Sequence, residues 1–260
     1  NPESFAICGS DLMIKGEDTS FIVFGNTLGT GKAKDGFVDG DGHPNERFHY
    51  LLANPPFGVE WKPEKDNVTK EHNELGDRGR FGPGLPRIND GALLFLLHMI
   101  SKMEPAPSDG GEGARIAVVF NGSPLFTGDA GSGESNIRRW IIEHDMLEAV
   151  IGLSDQLFYN TGISTYVWIV TNRKPPERAG KVQLINGVEF ARKMKKSLGD
   201  KRKRLGDGTD GSNDTPDGSP NHIATLTRLY ADFKHDVRMT LGDIQTNIDT
   251  KRDPGKSLFV

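Results

Sequence analysis

Phe48-His49-Tyr50-Leu51-Leu52-Ala53-Asn54-Pro55-Pro56-Phe57 is an apolar run of strand length that stops at a polar amide and two prolines. Strands covered on both faces read as near-continuous apolar runs, so residues 48–53 are expected to form a buried parallel strand. Each proline locks its own backbone and removes a donor, which ends the strand and stiffens the turn behind it. Ligands of open α/β sheets bind beyond the carboxyl ends of the strands. Asn54-Pro55-Pro56-Phe57 therefore stands where a binding turn belongs. It combines a carboxamide oxygen, the Pro55 backbone carbonyl and the flat face of Phe57. Two fixed acceptors of this kind can take both hydrogens of an exocyclic amino group, which localises the nitrogen lone pair without any nucleophile.

Outward from this turn the pattern alternates between strands and helices, the mark of a mostly parallel sheet flanked by helices. On the amino-terminal side, a helical pattern ends near Gly16, and Phe21-Ile22-Val23-Phe24 reads as a second buried strand. On the other side, the charged, Gly-rich stretch from Glu60 to Asn89 reads as a long functional or mobile loop. Residues 91–103 form an apolar helix candidate, residues 134–144 an amphipathic one, and 115–120, 147–153, 162–171 and 181–186 are strand candidates rich in β-branched residues. Beyond Asn186 the composition changes. Arg192 to Arg204 is basic and reads as a solvated helical face, Gly206 to Pro220 as a flexible linker, and Ile223 to Phe233 as a helix. The expected division is thus 1–186, the α/β catalytic part, and 187–260, a basic segment, linker and C-terminal helical appendage.

The chain has 260 residues, enough for one sizeable core. It has no apolar run of membrane-spanning length and no signal pattern, so a soluble, cytoplasmic chain without a membrane partner is expected. One cysteine, Cys8, excludes an internal disulfide framework and a thiolate zinc site, and is expected to be a small buried hydrophobe. The seven histidines lack the paired spacing of a metal site, so no metal is expected. A net charge of −4 argues against a chain that grips nucleic acid over its whole surface. Gly29-Thr30-Gly31-Lys32 is not a phosphate loop, since Ala33 stands where Ser or Thr is needed. Trp168 lies in an apolar strand and is expected in the core, and the Gly128–Gly133 stretch is read as a plain loop.

Leu52-Ala53-Asn54-Pro55-Pro56-Phe57-Gly58 resembles motif IV of the amino-methyltransferases, in the version found in modification subunits of type I restriction systems. Other segments follow the same family. Gly25-Asn26-Thr27-Leu28 resembles motif III, with Asn26 where an acid usually contacts the cofactor adenine. Asp90 and the helix after it resemble motif V, Val118 to Phe126 motif VI, and Phe158-Tyr159-Asn160-Thr161-Gly162-Ile163 motif VIII beside the target base. The likeness covers nearly all of residues 1–205.

The resemblance implies a Rossmann-like class I methyltransferase sheet and S-adenosylmethionine-dependent methylation of adenine N6 in DNA. It assigns catalysis to Asn54, Pro55, Pro56 and Phe57, cofactor binding to Asn26, Thr27, Leu28, Asn54 and Asp90, and the substrate base to Phe57, Tyr159 and Asn160. Implied partners are DNA and the specificity and restriction subunits of the same system. Asn-Pro-Pro-aromatic turns also serve amino-methyltransferases of ribosomal RNA guanine and of protein glutamine, and an inactive scaffold that binds a specificity subunit is a further alternative. The family's Gly-rich cofactor turn is nowhere in the chain and is expected to precede Asn1. The catalytic domain is therefore read as truncated at its N-terminus, and the chain alone as inactive and prone to self-association.

Overall fold

The computed structural model describes residues 2–31, 36–159, 161–208 and 221–233, and the backbone of 237–241 and 244–248. Two compact units interleave along the chain: residues 1–47 with 58–102, and residues 48–57 with 103–260.

The first unit opens with helix α1 (Pro2–Lys15), which buries no residue; Cys8 is exposed, contrary to expectation. Phe21–Phe24 is not a buried strand either. Phe21 is exposed, and the strand pairing here is between β1 (Gly25–Asn26) and the parallel β2 (Val38–Asp39). The aromatic run builds a ring cluster instead, with Phe24 5.1 Å from Phe5 and 5.0 Å, edge-on, from Phe37. The stretch read as a loop from residue 60 holds a 3-10 turn at Lys62–Glu64 and helix α2 (Lys65–Leu75). Only Val68 of α2 is buried, so it carries almost none of the apolar periodicity by which a helix is read from sequence. Helix α3 (Ala92–Ser101) is the reverse case, apolar nearly all round, with Ala92, Leu93, Leu94, Leu96, Leu97 and Met99 buried.

The second unit is built on a five-stranded sheet. Its strands are β3 (Tyr50–Ala53), β4 (Arg115–Phe120), β5 (Leu147–Leu153), β6 (Thr165–Thr171) and β7 (Gln183–Gly187), in the order β3-β4-β6-β5-β7. β4 is parallel to β3, β6 is antiparallel to both β4 and β5, and β7 is parallel to β5. Four strands thus share one direction and β6 opposes them. Ile116, Val118, Phe120 and Val170 form the core, and Trp168, 1% exposed, meets Phe120 edge-on at 5.5 Å. β3 departs from its reading. It is an outer strand whose burial alternates, with Leu52 82% exposed.

Short helix α4 (Ser123–Phe126) follows β4, and α5 (Gly133–Glu143) begins at Ser132, whose hydroxyl accepts from Ser135 N and so caps the helix. The basic stretch is not helical. It forms a hairpin of β8 (Arg192–Leu198) and β9 (Lys201–Arg204). Helix α6 (His222–Asp232), capped by Asn221, lies where a helix is expected. Its Leu226 and Leu229 share a hydrophobic cluster with Leu153, Leu157, Ile185 and Phe190, so one core spans both sides of residue 187. An antiparallel pair, β10 (Val237–Leu241) and β11 (Ile244–Ile248), follows. Most of the 206–220 linker lies outside the described residues, as do Lys32 and Ala33.

Candidate functional site

The shared direction of β3, β4, β5 and β7 decides where the second unit can bind a ligand. The segments that follow β3, β4 and β5 all leave the sheet at its carboxyl edge, and β6 enters there. That edge gathers the Asn54–Phe57 turn, the 121–126 segment and the 154–159 loop.

Asn54 is exposed, and among the described residues no partner engages its carboxamide. Pro55 is buried, which fixes the turn from beneath, while Phe57 is half-buried. Gly58 has φ +61°, a left-handed conformation that a residue with a side chain adopts only under strain, so the chain can reverse directly after the turn. Phe126, 72% exposed, stacks edge-on against Tyr166 at 6.1 Å. Tyr159 is 61% exposed on the loop after β5. Thr165, fully buried at the start of β6, has a hydroxyl oxygen without a hydrogen-bond partner among the described residues. Asn160, the neighbour expected to touch the base, lies outside the described residues.

Asn26, Thr27, Leu28 and Asp90 stand in the other unit, where each residue of the 26–28 turn is held by a different side chain. The Asn26 amide donates to Glu64 Oε1 at 2.8 Å, and its oxygen accepts from Leu28 N at 3.2 Å. Arg80 Nη1 donates to the Thr27 carbonyl at 2.7 Å, and Asn67 Nδ2 donates to the Leu28 carbonyl at 3.0 Å. Gly29 is needed for this approach. Its φ is +73°, and a Cβ there would lie 2.8 Å from Asn67 Nδ2. Asp90, buried, accepts from Ala92 N at the start of α3. Glu64, Asn67 and Arg80 were missed in the sequence because the segment carrying them reads as a loop. Glu71 and Arg80 pair through several hydrogen bonds of 2.7 to 3.1 Å, a contact that no periodicity along the chain signals.

Two titratable groups report on this clamp. Burial pushes the Glu71 carboxyl up, but the hydrogen bonds and charge of Arg80 outweigh it and hold the group below its usual range. His98 is lowered to about 4, chiefly by burial and then by the positive charge of Arg80. Arg80 Nη1 lies 3.3 Å from His98 Nδ1. Arginine can only donate, so Nδ1 is the unprotonated ring nitrogen.

The family described as N-6 DNA Methylase matches residues 1–208. The chain is 25% identical over 194 residues to the type I restriction enzyme MjaIX methylase subunit of Methanocaldococcus jannaschii, covering 71% of this chain and 32% of that protein. It is 26% identical over 191 residues to the HindI methylase subunit of Haemophilus influenzae, covering 73% of this chain and 37% of that protein. The chain thus spans about a third of the length of these curated relatives. In fold it is similar to a type I restriction-modification methyltransferase subunit from Streptococcus thermophilus, with a TM-score of 0.64 at 20% identity over 90% of this chain and 41% of that one. The Rossmann-like methyltransferase sheet expected from the motifs is therefore present, and with four-fifths of its residues matched, the chain belongs to the N-6 DNA methylase family.

Proposed function

We propose that the chain is part of the catalytic domain of a DNA methyltransferase that uses S-adenosylmethionine to methylate adenine N6, working as the modification subunit of a type I restriction-modification system alongside specificity and restriction subunits. The observation that carries this reading is the rigid Asn54-Pro55-Pro56-Phe57 turn at the carboxyl edge of the sheet, with the Asn54 carboxamide exposed and unengaged. Asn54 Oδ1 and the Pro55 carbonyl accept the two amino hydrogens of an extruded adenine, which frees the nitrogen lone pair. Phe57 and Tyr159 supply flat faces for the base. An exposed tyrosine on the same edge favours a planar base over a glutamine amide.

S-adenosylmethionine supplies an electrophilic methyl group. The donor set of the first unit fits such a ligand: the carboxylates of Glu64 and Asp90 are acceptors for amino groups, and Leu28 is apolar and buried. In the full-length protein, Asn54→Ala is expected to lower the rate of methyl transfer on the order of a hundredfold or more, because one fixed acceptor is lost. DNA affinity should be retained. Wild-type methylation rates in that variant would remove Asn54 from the mechanism.

A further inference from the structure

The 192–204 hairpin carries eight cations against one acid, Asp200, in a chain whose net charge is −4. In two of the three registered pairs, cation faces cation: Arg192 opposite Arg204, and Lys193 opposite Lys203, while Leu198 stands opposite Lys201. Like charges directly across a ladder oppose its formation, so the hairpin is arranged for something other than its own stability.

Part of the basic set is spent on fastening the hairpin to the loop after β5. The amides of Arg202 and Lys203 both donate to the Gln156 carbonyl at 3.0 Å. Gln156 has φ +58°, a left-handed conformation unusual for a residue with a side chain. Lys201 Nζ donates to the Leu157 carbonyl at 2.7 Å and lies 5.1 Å above the Tyr159 ring. Lys203 Nζ donates to Ser154 Oγ at 3.0 Å and pairs with Asp155. The loop that presents Tyr159 and the hairpin therefore form one fastened structure.

The rest of the set is left facing solvent. Lys193, Lys195, Lys196 and Arg202 are exposed, and among the described residues none of them has an acidic partner. We propose that the β8–β9 hairpin is a phosphate-contacting surface that grips the DNA backbone beside the extruded base, with Lys193, Lys195 and Lys196 as its contacts and Lys201 and Lys203 as the anchors that set its register to Tyr159. This rests on the DNA-methylase reading above. It assigns the hairpin to positioning, since phosphate contacts fix the orientation of a duplex without reading its sequence. It also accounts for nucleic-acid binding by an acidic chain, which carries eight of its 32 lysines and arginines in this one short element.

The test is DNA affinity as a function of salt, measured by fluorescence anisotropy with the full-length protein and a labelled duplex of arbitrary sequence. Each lost phosphate contact should reduce the slope of log K against log salt by about 1, so the triple variant Lys193→Gln, Lys195→Gln, Lys196→Gln should lose about three. The corresponding triple arginine variant keeps the charges and should keep the wild-type slope. A wild-type slope in the glutamine variant, with unchanged thermal melting, overturns the hairpin surface while leaving the methylase reading intact. Absence of any salt-dependent DNA binding by the wild type overturns both. A glutamine variant that melts early is replaced by Lys195→Gln, Lys196→Gln alone, for which the expected loss is about two.

Discussion

Asn54 and Asn26 are the same residue type, each at the end of a short strand, yet their side chains do opposite things. Asn26 spends its amide on Glu64 and its oxygen on Leu28 N, so it shapes a turn. Asn54 is exposed, and among the described residues no partner engages it, which leaves its oxygen available as an acceptor. Phe57 is half-buried beside it, and as a stacking face it should contribute about 1 to 3 kcal/mol per base. Phe57→Ala should accordingly weaken binding to DNA with an already unpaired target adenine, and Phe57→Trp should be milder. Equilibrium titration of the full-length variants decides the matter, since unchanged affinity in Phe57→Ala would make the ring a packing residue. His98 offers a pH probe. Unfolded, it takes up a proton near its ordinary 6.5, and folded only near about 4. The unfolded chain therefore binds more protons between those values, so the stability linked to His98 is complete above 6.5 and is lost as the pH falls towards 4. Urea unfolding should show a loss of about 2 to 3 kcal/mol across that window. His98→Gln should flatten it, and a wild-type pH dependence in that variant would refute the assignment.

The helical segment after residue 60 is the element whose role was least visible beforehand. It supplies Glu64 and Asn67, and Arg80 beyond it, to the three residues of the 26–28 turn. Arg80 is the hinge of this arrangement because it also pairs with the half-buried Glu71. Arg80→Ala leaves that carboxylate without its cation and the Thr27 carbonyl without its donor, a combined loss of about 2 to 4 kcal/mol. Denaturant titration should register the loss. Calorimetry with S-adenosylmethionine on the full-length protein should show weaker binding as well, because the turn is no longer held. Unchanged cofactor affinity at reduced stability would confine Arg80 to folding.

β3 lies at the outside of its sheet with Tyr50 and Leu52 exposed, immediately before the Asn54–Phe57 turn. An outer strand with large apolar side chains in water is a template for pairing with another chain. Sedimentation velocity on the 260-residue chain should therefore show concentration-dependent association, and Leu52→Lys should shift it towards the monomer. A wild-type chain that sediments as a monomer at every concentration would show the strand edge to be protected.

Residues 115–120, 147–153 and 165–171 were legible as strands, and 92–101 and 133–143 as helices, because buried elements must repeat apolar residues at the period of their own geometry. The turn at Asn54–Phe57 was legible as a turn for a related reason, since proline and asparagine impose their backbone locally. Three things were not legible. The helix at 65–75 buries one residue and so has no period to read. The 192–204 hairpin is held by two carbonyls, a hydroxyl and a carboxylate in the 154–157 loop, more than thirty residues away, and polar alternation alone does not separate strand from helix there. The freedom of Asn54, set against the engagement of Asn26, depends on which partners the folded chain brings within hydrogen-bonding distance. Local chemistry and periodicity are properties of neighbouring residues and can be read along the chain, whereas satisfaction of polar groups by distant partners exists only once the chain has packed.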